Sequence, residues 1–268
     1  MKKPGRGRKG KQKMLQKITL ICTHAHQENA SYNWGLFLHG ALMELLPDKI
    51  SNTLHEINLR PFSQYLVQKE GRKLEWNIGL WDNEIANHIT NALMSVSEIN
   101  INHKGIKLEV VGAEHRKQSK NDFLFQFFNA EVPHRRYEME FLTPCTHRSG
   151  GEFVMFPTPE LIIKGLCMRF SAFSQDYSID DPETMDQVAE NVRMTRYSLR
   201  SANFYVEGGR VTGYLGRISL LVGGPDQLAR LAGMLLSFSE YSGVGVKTAL
   251  GMGGCRIRKI KHTTKNMK

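Results

Sequence analysis

Apolar residues along this chain switch between two spacings, and the order of the switches predicts the architecture. Ile18, Leu20 and Ile21 form a short β-rich run over residues 17–23. From Trp34 the apolar positions move to helical spacing through Phe37, Leu38, Ala41, Leu42, Leu45 and Leu46, with Asn33 placed to cap the start and Pro47 to stop the helix. Residues 59–67 and 74–80 read as strands joined by a turn at Glu70-Gly71-Arg72, residues 84–96 as a helix, and residues 106–111 as a strand. That order is β-α-β-β-α-β, the ferredoxin-like plan.

The second half repeats the plan. Residues 137–142 read as a strand, and residues 159–173 as a helix entered through Pro157 and Pro159. An acidic insertion with a helical piece over 180–192 comes next, then strands over 197–206 and 211–222. Pro225 opens a helix striped by Leu228, Leu231, Leu235 and Phe238, and residues 254–260 close the chain as a strand. The predicted class is α+β, with tandem ferredoxin-like domains over 17–133 and 134–261 between basic flexible tails at 1–16 and 262–268.

A length of 268 residues fits two such domains. No apolar run approaches the roughly 20 residues that span a bilayer, so the expectation is a soluble, cytoplasmic protein with no membrane partner. Cys22, Cys145, Cys167 and Cys255 are widely spaced, which predicts reduced, buried thiols rather than a disulfide framework or zinc site. Cys22, His24 and His26 share a strand face but lack a fourth ligand, so no metal and no cofactor is predicted. The formal net charge is +10, yet eight unopposed positive charges lie within the first 17 residues and six lie from Arg256 onward. The body between them is mildly acidic. Any polyanion bound by the tails alone is held without sequence preference, through counterion release.

Between the last helix and the last strand lies "GVGVKTALGMGG", Gly243 to Gly254, five glycines around a single lysine. A P-loop would need glycines at Tyr241 and Val246, and a dinucleotide fingerprint would need its third glycine at Thr248 or Arg256. The loop is neither. Bare backbone permits positive φ and an anion-binding nest of N–H groups, which with Lys247 suits a phosphodiester; the alternative is a loop that merely turns tightly under a packed helix.

The spacing of Gly243, Gly245, Lys247, Gly251 and Gly253 resembles the glycine-rich signature of the CRISPR-associated endoribonucleases, the sixth Cas family of the repeat-associated mysterious protein superfamily. "SEYSGVGVKTALGMGG" is similar to that family's C-terminal block, "EFLTPCTHRSGGEFVMFPTPELIIKGL" to the opening of its second domain, and "FLHGALMELLP" and "LHEINLRPFSQYL" to its first helix and a histidine-bearing stretch. The resemblance implies paired ferredoxin-like domains that bind CRISPR repeat RNA and cut it once per repeat. It further implies a metal-independent reaction in which the 2′-hydroxyl attacks the adjacent phosphate, leaving 2′,3′-cyclic phosphate and 5′-OH ends.

Such a reaction needs a base, an acid and positive charge at the phosphorane, and histidine suits the first two roles. His55 matches the position of the family's catalytic histidine, with Arg60 close behind to hold phosphate, and His39 on the first helix is the second candidate. The predicted RNA contacts are Arg60, Arg148, Gly243, Gly245, Lys247, Gly251 and Gly253. Met43 stands where some members carry a tyrosine, and Arg60 is the nearest cation where some carry a lysine, so a Tyr–His–Lys triad does not transfer whole. Tyr197, Tyr205 and Tyr214 read as core residues rather than base-stacking ones, and His134-Arg135-Arg136 and His147-Arg148 as loop charges or an RNA groove. A non-catalytic repeat-binding subunit remains the alternative reading, and a CRISPR effector complex and a homodimer are the further partners considered.

Overall fold

Alternating burial along the first strand shows how the chain begins to build a core: in β1 (Met14–His24), Leu15, Ile18, Leu20 and Cys22 have no exposed surface. The structure is a computed structural model that describes residues 12–25, 29–101, 104–174 and 178–260. β1 starts at Met14, three residues ahead of the predicted strand. The rest of both basic tails, and His26, lies outside the described residues.

A 3-10 turn (Tyr32–Trp34) leads into α1 (Gly35–Leu45), followed by α2 (Asp48–Glu56), β2 (Phe62–Gln68), β3 (Lys73–Leu80), α3 (Asn83–Met94), β4 (Glu98–Ile101) and β5 (Ile106–Ser119). The sheet order is β2-β3-β1-β5-β4, the ferredoxin-like order with β4 added at one edge. α3 is capped by Asp82, whose carboxylate accepts from the Glu84 and Ile85 N–H groups at 3.0 Å each. Asn33 caps nothing; its side-chain oxygen accepts instead from the Tyr205 N–H at 3.0 Å, tying the start of α1 to the second half.

The second half comprises α4 (Lys120–Phe128), β6 (Arg136–Cys145), a small hairpin of β7 (His147–Ser149) and β8 (Glu152–Val154), α5 (Pro159–Ser174), α6 (Pro182–Glu190), β9 (Val192–Val206), β10 (Gly209–Val222), α7 (Asp226–Ser242) and β11 (Cys255–Lys259). Its main sheet runs β11-β6-β10-β9, the same ferredoxin-like order. Phe170, Phe173 and Phe238 from α5 and α7 fill its core, and Phe123 and Phe127 of α4 join them. Among the described residues no helix is long and apolar enough to cross a membrane.

The two halves meet where α7 ends. The Ser63 hydroxyl donates to the Tyr241 carbonyl at 2.7 Å, and a Cβ at Gly79 would collide with that same carbonyl, so β2 and β3 lie directly against the last turn of α7. Gln64, fully buried on β2, donates through Nε2 to the carbonyls of Gly35 at 2.7 Å and Ala249 at 3.1 Å, and accepts from Trp76 Nε1 at 2.7 Å. One amide thus joins α1, β3 and the glycine-rich connection.

Candidate active site

α7 stops at Gly243, and all four signature glycines have positive φ: 65° at Gly243, 78° at Gly245, 114° at Gly251 and 64° at Gly253. At Gly253 a Cβ would strike the Val244 carbonyl, whose residue donates back to the Gly253 carbonyl at 3.0 Å. At Gly251 a Cβ would sit 3.0 Å from Cα of Gly35, so the loop and the first turn of α1 touch backbone to backbone. The loop is also stitched to the end of β6, with Gly253 N–H donating to Pro144 at 2.9 Å and Val246 N–H to Thr146 at 2.9 Å. Bare backbone at Gly251 and Gly253 therefore meets the protein itself. What the loop presents outward is Lys247, exposed, without an ion-pair partner among the described residues, and at φ 56° the one non-glycine residue among them in the left-handed region. That conformation costs roughly 1 kcal/mol in a residue with a Cβ, so the turn holds the lysine in place against its own preference.

Beside this loop, α1 carries His39, buried and stacked on Phe62 with ring centroids 6.0 Å apart. Its Nδ1 is buried with no hydrogen-bond partner among the described residues. Burial pushes its pKa down to about 4, the positive charges of Arg60 and His55 press the same way, and the Ala249 carbonyl opposes them. His39, His55, Arg60 and the loop are therefore electrostatic neighbours. His55 is exposed in the last turn of α2. Arg60 donates through Nε to the Leu54 carbonyl at 2.8 Å, which closes the end of α2 next to His55, while its terminal nitrogens carry no hydrogen bond and face no carboxylate partner among the described residues. His39 also lines a groove of about 790 Å³ with Asn33, Phe37, Glu44, Lys104 and Tyr205. Of the three groups only His39 lines this groove; His55 and Arg60 lie outside its walls, at the end of α2. Met43 is buried in the first core.

The other predicted positions separate. Arg148 is exposed on the β7–β8 hairpin, donating to the Gly151 carbonyl at 3.0 Å and lying over the Phe153 ring. Its neighbour His147 is buried, paired with the Tyr214 hydroxyl at 2.8 Å, and reaches the wall of a cleft beside the loop. Arg135 is likewise structural, gathering the carbonyls of Val222, Gly223 and Gly224 and the Asp226 carboxylate. Of the three strand tyrosines only Tyr214 is a core residue; Tyr197 and Tyr205 are 66% and 56% exposed, against expectation, because on the edge strand β9 the neighbouring Phe204 takes the buried face at Tyr205 and Tyr197 packs only edge-on against the exposed Phe156. β9 is an edge strand, and Arg193, Arg196 and Arg200 stand exposed along it without ion pairs among the described residues. All four cysteines are buried and free, with burial pushing each thiol up to about 12. Two residues of this region were not singled out from the sequence: Gln64, polar within an apolar strand, and Arg169, charged on the buried face of α5.

Two buried histidines give the fold a defined acid sensitivity. His39 and His147 are each held down from 6.5 to about 4, so between those pH values the unfolded chain binds protons that the folded chain does not. Stability is full above about pH 6.5 and is lost as the pH falls through the window, on the order of 3 kcal/mol per histidine. Urea unfolding at pH 7 and pH 4.5 checks this: His147→Gln is expected to lose less stability on acidification than the native chain, and an identical loss would mean that His147 does not carry the effect.

Two ferredoxin-like sheets in tandem define a double ferredoxin-like α+β protein. The fold matches a Cas6 product complex with a TM-score of 0.75 over 91% of this chain and 99% of that one, at 20% identity. In sequence, the family model of the CRISPR-associated endoribonuclease Cas6 matches residues 139–255. The CRISPR-associated endoribonuclease Cas6 of Mycobacterium tuberculosis is 31% identical over 228 residues, covering 84% of this chain and 72% of that one, and the Streptococcus thermophilus counterpart is 28% identical over 242 residues, covering 90% and 98%. The chain belongs to the Cas6 family of CRISPR-associated endoribonucleases.

Proposed function

We propose that this endoribonuclease binds CRISPR repeat transcripts across the glycine-rich loop and cleaves each repeat once, by a 2′-hydroxyl mechanism that needs no metal. The reading is supported by His39, buried on α1 against the loop at Ala249, with Arg60 and His55 near enough to add to the lowering of its pKa. Neutral His39 takes the proton of the 2′-hydroxyl. The 2′ oxygen attacks the adjacent phosphorus, the bond from phosphorus to the 5′ oxygen breaks, and His55 in its cationic form donates a proton to that oxygen. Arg60 offers its terminal N–H groups to the charge that develops on the phosphorane; a guanidinium suits that role and not proton donation. The products carry a 2′,3′-cyclic phosphate and a 5′-OH. A solved Cas6 substrate-mimic complex among the fold relatives supports RNA as the ligand class.

The test is incubation of the purified protein with repeat RNA in excess EDTA, followed by mapping of the product ends. One cut per repeat with a cyclic phosphate supports the mechanism; cleavage abolished by EDTA and restored by a divalent cation would overturn it. Tight binding with no cleavage under any condition would favour the non-catalytic, repeat-binding reading.

Lys247 supplies a separate check. Lys247→Ala is expected to weaken repeat binding and to reduce the slope of log affinity against log salt by roughly one phosphate contact, with kcat little changed. An unchanged slope in a salt titration would place Lys247 outside the RNA path and leave the loop as a packing device.

A further inference from the structure

A second concavity lies on the other side of the glycine-rich loop, away from His39. It encloses about 430 Å³ between α5, the start of β7 and the loop, with Arg148, Gly245 and Val246 along its walls and Leu59, the neighbour of Arg60, at one lip. That volume is within the range of sites for small ligands. Arg169 of α5 also lines it and is only 8% exposed. Its guanidinium donates to the carbonyls of Gly165 and Gly245, but Nε is buried with no partner. No carboxylate pairs with Arg169 among the described residues. The nearest acid on the cleft wall, Glu160, is held by Lys164 at 2.8 Å, and Lys164 is shared with Asp186 at 2.6 Å.

A guanidinium buried without a counter-ion is unfavourable. The positive charge is therefore a cost in the empty protein that an incoming anion offsets. Its bond to the Gly245 carbonyl places that charge directly under the loop that leads to Lys247.

We propose that the cleft floored by Arg169 is a phosphate subsite, in which the guanidinium receives one phosphodiester of the bound RNA while holding Gly245 in position. The subsite rests on the RNA-binding reading given above, and extends the RNA path from Arg60 past Leu59 towards Arg148. Its chemistry is recognition of a phosphate alone, without reading of bases.

Arg169→Met tests it, with Arg169→Gln, which keeps a donor for the Gly245 carbonyl, as the second variant should the first fail to fold. Without RNA, Arg169→Met is expected to melt somewhat lower than the native protein, because the Gly245 carbonyl loses its donor, and Arg169→Gln close to it. The affinity of either variant for repeat RNA is expected to fall roughly 10- to 100-fold, with a salt slope smaller by about one. Inorganic phosphate is expected to raise the melting temperature of the native protein and not that of the variant. A lower melting temperature with unchanged affinity and slope would overturn the proposal and make Arg169 a structural clamp, as would an equal phosphate response in both proteins. If the native protein binds no repeat RNA, the function proposed above fails, and the phosphate arm still reads the subsite.

Discussion

His39→Ala is expected to slow single-turnover cleavage of repeat RNA by ~10²–10⁴-fold, with affinity changed by no more than a few-fold. The buried ring, with its pKa pushed down to about 4, is neutral near pH 7, a weak base that is never blocked by its own proton there. A base of that kind places the acid limb of the pH–rate profile well below pH 6.5, whereas a base with the ordinary histidine value would place it near 6.5. Measured rates from pH 4 to pH 8 therefore test His39 as the base. His55→Ala should also slow cleavage, through loss of the proton donated to the leaving oxygen. If His39→Ala retains full rate at a native melting temperature, the base is not His39 and the assignment of roles falls. His39→Gln, nearer in volume, guards against a loss that arises only from the cavity left under α1.

Gln64→Leu is expected to destabilise the protein by about 2–4 kcal/mol. The change orphans the buried Trp76 indole N–H and takes one of the donors from the carbonyls of Gly35 and Ala249, which keep their bonds within α1 and to His39. A buried orphan costs about 1–3 kcal/mol, and each lost bond roughly 1 kcal/mol or less. Leucine is close to glutamine in size, so the loss cannot be assigned to a cavity. The functional consequence follows from position, because the Ala249 carbonyl also lies beside His39 and Gly35 abuts Gly251. Cleavage by any surviving folded fraction should fall as well. Urea unfolding reads the first effect and single-turnover rates below the transition read the second; a loss of less than 1 kcal/mol would mean that the network is not needed to hold the loop against α1.

The strands and helices with strong periodicity were legible from the chain, and the elements that escaped have a common cause. α2 buries only Ile50 and Leu54, and the β7–β8 hairpin has too few residues to show a period, so neither announces itself. α4 hides because Phe125 and Phe128 are exposed beside the buried Phe123 and Phe127, which blurs its stripe. The glycine spacing was legible, but that Gly251 and Gly253 face their own protein depends on contacts with Gly35 and Val244, and no local pattern records them. The family resemblance, more than residue type, marked His39 and His55 as candidates. That His39 is buried while His55 is exposed comes from the packing of α1 on Phe62, a tertiary fact. Arg169 was visible in principle, as a charge where the helical period demands an apolar residue.

The arginines of β9 also answer a danger to the protein itself. A strand of 15 residues at the rim of a sheet leaves a row of backbone donors and acceptors open to another copy of the chain, which is how sheets from separate molecules fuse. Arg193, Arg196 and Arg200 put three unopposed positive charges on that rim, so two such rims repel before their backbones can meet. Whatever these side chains contribute to RNA, they let the enzyme carry a long, exposed strand without polymerising through it.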